Sequence, residues 1–161
     1  RARKEEANAL YNAANYHRAI HLYTVAISSP HVPDHERAIY LANRAAAALK
    51  LQRFQDVVRD ASQALDLNPG YVKALVRRKE ARERLADWQG ALEDAKQLAL
   101  PPAELHRLST AAQQKEATDR QEAMSALKGL GNSILSNFGM SLDDFAVEKD
   151  PNSGSFNVKM K

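Results

Sequence analysis

One pattern of small and aromatic residues recurs three times in this chain of 161 residues. The matching positions, copy by copy, are Ala19, Tyr23 and Ala26; Val57, Ala61 and Ala64; and Ala91, Ala95 and Leu98. The second and third copies are separated by about 34 residues, the period typical of a helix, turn and helix unit that buries its apolar face by stacking on the next unit. The first and second copies are separated by four more, which fall in a polar, proline-containing stretch at positions 28–33. The sequence therefore predicts an all-α superhelix of three helical hairpins.

Composition limits the functions open to such a chain. A hydrophobic content of 44% supports a folded core, and the absence of cysteine excludes disulfides and thiolate metal sites. No apolar run approaches the roughly 18 residues that span a bilayer. The charged residues 1–6 do not resemble a signal peptide. We therefore expect a cytoplasmic protein without a membrane segment or a cofactor.

A long helix is predicted after the third hairpin. Residues 103–130 are rich in Ala, Gln, Glu and Lys, which favour helix. Its apolar stripe, expected to dock on the last hairpin and cap the stack, consists of Leu105, Leu108 and Ala112. Residues 124–138 are amphipathic, and we expect Gly129 and Gly131 to interrupt that segment. The repeat domain with its capping helix is accordingly assigned to residues 1–123.

The remaining residues, 124–161, are predicted to form a C-terminal extension that ends in a β-hairpin. Residues 145–149 and 155–159 alternate apolar and polar side chains around a turn at 150–154. Because a lone hairpin is marginally stable in water, it should pack on a helix or pair with another chain. A second protein partner for this extension follows as a hypothesis.

The repeats carry the positive charge of the chain. Residues 1–100 contain 16 Lys or Arg and 12 Asp or Glu, a net charge of +4. The remaining residues have a net charge of −1, which gives +3 for the whole chain. A basic surface attracts acidic peptides, nucleic acids or membranes, so the placement of the charges has to distinguish these partners.

Several polar residues should converge on one groove. Lys4 and Asn8 lie four residues apart, which places them on one face of a helix. Lys73 and Arg77 have the same spacing, and an i, i+3, i+7 stripe occupies the first helix of the second copy. First helices of stacked hairpins line the concave side. Lys4, Asn8, Asn43, Lys73 and Arg77 should therefore converge in this groove, and Ala46 and Lys50 share the helix face of Asn43.

These residue types suit the recognition of carboxylates. Lysine, arginine and side-chain amides donate hydrogen bonds, and each charge-assisted bond contributes roughly 1.5 to 3 kcal/mol. The small Ala46 leaves room for a bound chain. After ordering costs, a short acidic peptide should bind with a dissociation constant on the order of micromolar.

Three short motifs resemble the carboxylate-clamp tetratricopeptide repeat domains of co-chaperones. That family has Lys-x-x-Gly-Asn, Asn-Arg-Ala-Ala and Lys-Ala-x-x-Arg in successive first helices, and residues 4–8, 43–46 and 73–77 match these motifs. Two residues depart from the family pattern: Ala7 replaces a glycine, and Lys79 falls at a small-residue position.

The resemblance implies an adapter that holds the C-terminal Glu-Glu-Val-Asp tails of heat-shock chaperones of the seventy and ninety class. The two carboxylates of the terminal aspartate would be bound by Lys4, Asn8, Asn43 and Lys73. Arg77 would contact the peptide further upstream. Lys50 would be an accessory contact.

Other binding roles are less well supported. His17 with His21, and His31 with His35, have the i, i+4 spacing of a metal pair but lack a third ligand at a suitable spacing. The aromatic side chains most relevant to base stacking, Tyr16 and Trp88, occupy equivalent repeat positions and are interpreted as packing residues. Nucleic-acid binding is therefore a weak alternative.

Catalysis is not indicated by any motif. The chain has no Gly-rich phosphate loop and no recognisable nucleophile motif. Scattered carboxylates, among them Asp56, Asp60, Glu93 and Asp94, are interpreted as helix surface. The main alternative to a chaperone-tail adapter is a repeat scaffold that binds an internal helix of another protein or its own tail.

Overall fold

The computed structural model describes residues 2–149 and 156–160. Its helices are α1 (Ala2–Asn12), α2 (Tyr16–Ile27), α3 (Asp34–Lys50), α4 (Phe54–Leu67), α5 (Val72–Arg84), α6 (Trp88–Gln97) and α7 (Pro102–Ser136). A 3₁₀ turn, Leu142–Asp144, precedes strands β1 (Phe145–Lys149) and β2 (Phe156–Met160). The predicted fold class, a helical repeat array with a long C-terminal helix and a small strand pair, is confirmed.

Helices α1 to α6 pack in chain order as three antiparallel hairpins. Of the nine residues that defined the sequence repeat, all are buried except Leu98, which is partly buried against the same core as Ala61 and Ala64. Small side chains at these positions allow the helices to approach closely, which is the reason for the alanine-rich pattern.

The turn inside each hairpin is also repeated. Ala14, Gln52 and Ala86 adopt left-handed backbone conformations with φ of 58°, 56° and 57°. In each turn, the N–H of the following residue donates to the carbonyl five residues back, at 2.8 to 3.0 Å. A non-glycine residue in this conformation costs about 1 to 3 kcal/mol, so the packing of the two helices must hold it there. These turns recur at the same spacing as the buried small residues.

The chain divides into two compact units, of which the first ends at Gln113 and the second begins at Gln114. This division lies within α7. The boundary assigned from the sequence, after residue 123, also lies within α7, and the domain assignment stays a prediction.

The start of α7 packs on the third hairpin. Leu108 is fully buried and lies in one cluster with Ala91, Leu92 and Ala95, and Leu105 packs at its edge. Two of the three residues in the predicted docking stripe therefore make the expected contact.

Lys79, the large residue at a small-residue position, is accommodated by an ionic network. Its ammonium group contacts Glu83 on α5 and lies 3.3 Å from Oε1 of Glu104 on α7. Arg107 Nη2 donates to Glu83 and to Glu104, both at 2.7 Å. Hydrogen bonds from Arg107 and then Lys79 lower the pKa of Glu104 to about 2. Lys79, which departs from the repeat pattern, thus connects α5 to α7.

The interpretation of Asp60 and Asp94 as surface carboxylates is wrong, since they are 1% and 0% exposed. Arg44 binds Asp60 through two hydrogen bonds of 2.7 and 2.8 Å. Arg78 binds Asp94 in the same way, at 2.6 and 3.1 Å, and Arg82 Nη1 adds a third donor at 3.0 Å. A carboxylate tolerates burial when it is paired and hydrogen-bonded in this manner.

In the second unit, α7 continues through both glycines to Ser136, so the predicted interruption of the helix is wrong. An isolated glycine costs about 1 kcal/mol in a helix and does not remove a backbone hydrogen bond. Gly131 also makes room for Leu142, because an added Cβ would lie 2.7 Å from its Cδ1. The side-chain oxygen of Asn132 accepts the backbone N–H of Leu142 at 2.7 Å. The segment after α7 is therefore held against the helix.

Strands β1 and β2 pair antiparallel, with Phe145 opposite Met160 and Val147 opposite Val158. The second strand extends to Met160, one residue beyond its predicted end. Ser155 and the predicted turn at 150–154 lie outside the described residues. Val147 and Val158 are 65% and 64% exposed, so this face of the hairpin is open to solvent.

Candidate functional site

A cavity of about 320 Å³ is enclosed mainly by the first helices of the hairpins. It is lined by Asn8, Tyr11 and Asn12 of α1, Tyr23 of α2, Asn43 and Ala46 of α3, and Lys73 and Arg77 of α5. Five of the seven peptide-binding residues predicted from sequence therefore surround one space.

The other two predicted residues do not line this cavity. Lys4 lies one helical turn before Asn8 on α1 and is partly buried. Lys50 is exposed at the C-terminal end of α3. Their participation in binding stays a prediction.

Two donors converge on the side-chain oxygen of Asn8. The Tyr23 hydroxyl donates to Asn8 Oδ1 at 2.7 Å, and Asn43 Nδ2 donates to the same oxygen at 3.4 Å. Burial raises the pKa of Tyr23, which keeps its hydroxyl protonated near neutral pH. The three side chains connect α1, α2 and α3 at the floor of the site.

Arg77 is anchored to the neighbouring hairpin. Its Nη1 donates to the backbone carbonyl of Ala42 on α3 at 2.7 Å. Burial lowers the pKa of Arg77, yet an arginine remains protonated under physiological conditions. Its charge is therefore fixed beside the cavity by a contact that crosses from α5 to α3.

The electrostatic character of the cavity follows from its lining. Lys73 and Arg77 contribute two cations, and three asparagine amides contribute further donors. Among the described residues, no carboxylate belongs to the lining. Lys73 is exposed and forms no ion pair within the part of the chain that the structure describes. A cleft lined by charge of one sign attracts ligands of the opposite sign. The arrangement can accept carboxylate or other oxyanion groups.

Sequence reasoning missed three of the lining residues. Tyr11 and Asn12 follow Asn8 at i+3 and i+4, so helical periodicity could have found them. Tyr23 occupies a buried repeat position, and that position indicated packing alone. Tyr11 also contacts Tyr16 edge to face, with ring centroids 5.4 Å apart.

The remaining sequence candidates lie elsewhere. His17 and His21 are exposed and border a separate cavity of about 360 Å³. Over residues 2–149 and 156–160, no three His, Asp or Glu side chains are grouped as metal ligands would be. In the same residues, no helix has both the length and the apolar character needed to cross a bilayer.

Several known proteins are similar to this chain. Rat mitochondrial import receptor subunit TOM70 is 42% identical over 94 residues, which are 58% of this chain and 15% of that protein. The solved structure of the second TPR of Spaghetti (RPAP3) bound to HSP90 peptide SRMEEVD is 34% identical, with a TM-score of 0.56. That alignment covers 62% of this chain and 90% of the other.

A second solved structure is that of the second TPR domain of human RPAP3 in complex with HSP70 peptide SGPTIEEVD. It is 32% identical, with a TM-score of 0.56, over 66% of this chain and 92% of the other. No protein-family model matches the sequence. The chain spans only a small part of the curated relative above, so that protein's length includes much that has no counterpart here.

Proposed function

This chain belongs to the tetratricopeptide repeat family, and we propose that it is a chaperone-binding adapter of the carboxylate-clamp type. Its ligand is the C-terminal Glu-Glu-Val-Asp tail of heat-shock chaperones of the seventy and ninety class. The role is one of binding, without catalysis or a cofactor, and the proposed location is the cytoplasm.

The observation that carries this proposal is a cavity lined by hydrogen-bond donors and cations and, among the described residues, by no carboxylate. A terminal aspartate presents two carboxylates within a few ångströms of each other, and each needs donors when it leaves water. Lys73 supplies an exposed positive charge, and Asn8 and Asn43 supply amides. Lys4, one turn before Asn8, would close the site around the terminus.

In this proposal, the peptide residues that precede the terminal aspartate contact other side chains of the cavity and its surroundings. Arg77, fixed by the Ala42 carbonyl, would meet a peptide carbonyl or a glutamate side chain. Ala46 is small and leaves space for the peptide backbone. Lys50, exposed at the end of α3, would act as an accessory charge. The two solved relatives support this ligand class, because both of their peptides end in Glu-Glu-Val-Asp.

Titration calorimetry with a peptide ending in Met-Glu-Glu-Val-Asp tests the proposal. We expect a dissociation constant on the order of micromolar for the free acid, and at least a tenfold loss for the C-terminal amide. Amidation removes a negative charge and turns an N–H group toward a site made of donors. Equal binding of the two peptides would contradict the clamp and favour a scaffold that binds an internal helix. Absence of binding would also contradict it.

A second protein partner for residues 124–161 is a separate proposal. A row of apolar side chains in this segment is 54% to 72% exposed: Met124, Leu127, Leu130, Ile134 and Phe138. Exposed apolar surface of this kind is uncommon in monomeric proteins and typical of interaction sites. The alternative is that the chain's own tail occupies the cavity.

Deleting residues 124–161 separates these two possibilities. If the extension serves another protein, the shortened chain should bind the free-acid peptide with the affinity of the parent, measured by the same calorimetry. A severalfold tighter affinity of the shortened chain would instead indicate that the tail competes for the cavity.

A further inference from the structure

The amide of Asn8 is held in one orientation by its neighbours. Its Oδ1 accepts from the Tyr23 hydroxyl at 2.7 Å and from Asn43 Nδ2 at 3.4 Å. An amide oxygen has two lone pairs, so these two donors use its full capacity. Asn8 Nδ2, on the other side of the amide group, has no hydrogen-bond partner among the residues described here. Its two N–H groups are available to a ligand.

The opposite orientation of the amide is disfavoured. Rotating it by half a turn would bring Asn8 Nδ2 against Asn43 Nδ2, and two donors facing each other cannot form a hydrogen bond. The Tyr23 hydroxyl could turn to accept from Asn8 Nδ2, but Asn43 Nδ2 would still face a donor instead of the oxygen to which it now donates. The observed arrangement gives both donors, the Tyr23 hydroxyl and Asn43 Nδ2, an acceptor in Asn8 Oδ1.

Tyr23 is placed to do this by the fold. It is 1% exposed, and its ring is part of the core between α1, α2 and α3. The equivalent positions in the other two hairpins are Ala61 and Ala95, which have no hydroxyl. A hydroxyl therefore occurs at this position in the one hairpin of the three that contributes Asn8 to the cavity.

We propose that Tyr23 is a positioning residue that turns the Asn8 amide so that both of its N–H groups face the cavity. At this point the site then favours hydrogen-bond acceptors, such as carboxylate oxygens, over donors, such as the NH₂ group of a terminal amide. This inference rests on the proposed function, because it assigns the origin of the selectivity for a free carboxylate in the same cavity.

Tyr23→Phe is the direct test, since it removes the hydroxyl and keeps the buried ring. We expect it to weaken binding of the free-acid peptide about fivefold to tenfold, the usual effect of one hydrogen bond. Tyr40→Phe is the matched control: Tyr40 is 5% exposed, belongs to the same core cluster and donates to Glu36 at 3.0 Å, away from the cavity. Its peptide affinity should equal that of the parent.

A double-mutant cycle shows whether Tyr23 acts through Asn8. If it does, Tyr23→Phe should have no further effect on affinity once Asn8→Ala is present. Losses that add in the double variant, or an unchanged affinity of Tyr23→Phe, would overturn the inference and leave the proposed function in place.

The side-chain amide signals of Asn8 in a ¹⁵N–¹H NMR spectrum provide a test that needs no peptide. These signals are identified by their loss in Asn8→Ala. They should shift or broaden in Tyr23→Phe and stay unchanged in Tyr40→Phe, because only the first variant frees the amide to rotate. If the parent binds no peptide, the proposed function fails, and unchanged Asn8 signals in Tyr23→Phe would overturn the inference independently.

Discussion

Replacing Asp94 by alanine is expected to lower the free energy of unfolding by about 3 to 5 kcal/mol, the usual cost of breaking a buried ion pair. Asp94 is fully buried on α6 and accepts hydrogen bonds from Arg78 and Arg82 of α5. Without the carboxylate, Arg78, which is 14% exposed, loses its ion-pair partner among the described residues. Arg82, which is 18% exposed, keeps only the more exposed Asp87, 3.3 Å away. The third hairpin should therefore open at lower urea concentration, which circular dichroism at increasing urea would measure.

The neighbouring Glu93 provides the control for this prediction. It is exposed on the same helix and forms no ion pair among the residues that the structure describes, so Glu93→Ala should change stability by no more than about 0.5 kcal/mol. Similar urea midpoints for the two variants would contradict the assignment of Asp94 as a buried structural charge. Asp60, paired with Arg44 in the second hairpin, should behave as Asp94 does.

The repeat period was sufficient to predict the hairpins, because buried alanines recur wherever two helices meet. The same period contained the signal for the buried ion pairs. Arg44 and Arg78 occupy equivalent positions in the second and third copies, as do Asp60 and Asp94. Each arginine is 16 residues from its aspartate, on a neighbouring helix, and no local pattern connects them. Because carboxylates are usually solvated, the charge of Asp60 and Asp94 by itself suggested that both lie on the surface.

The structure of the C-terminal extension was predicted less accurately from its sequence. Alternation of apolar and polar residues predicted β1 and β2, whereas Gly129 and Gly131 suggested a break that does not occur. A glycine is costly in a helix but compatible with it, and Gly131 has a packing role beneath Leu142 that only the folded chain reveals.

For the candidate site, helical spacing and motif resemblance together selected five residues that surround one cavity. The hydroxyl of Tyr23 could not be selected in this way, because a buried aromatic residue at a repeat position is explained by packing alone. Its hydrogen bond to Asn8 depends on the distance between α1 and α2, which no spacing within one helix encodes.

Replacing Lys73 by alanine is expected to weaken binding of the free-acid peptide by about 10-fold to 150-fold, the loss of one charge-assisted hydrogen bond. Lys73 lines the cavity, is exposed and makes no ion pair among the described residues, so its removal should leave the fold intact. Calorimetry gives the affinity, and a thermal melt close to that of the parent shows that the loss comes from the site.

Lys96→Ala separates this local effect from the change in net charge. Lys96 is exposed on α6 and lies outside the cavity lining, yet its removal lowers the charge of the protein by the same amount. If Lys73 acts only through long-range attraction, both substitutions should lower the peptide affinity equally, and the losses should diminish with added salt. If Lys73 contacts the carboxylate directly, only Lys73→Ala should lower the affinity for the free-acid peptide. The same substitution should reduce the difference in affinity between the free-acid and amidated peptides. Equal affinities of the two variants would mean that Lys73 attracts the peptide from a distance and does not hold its carboxylate.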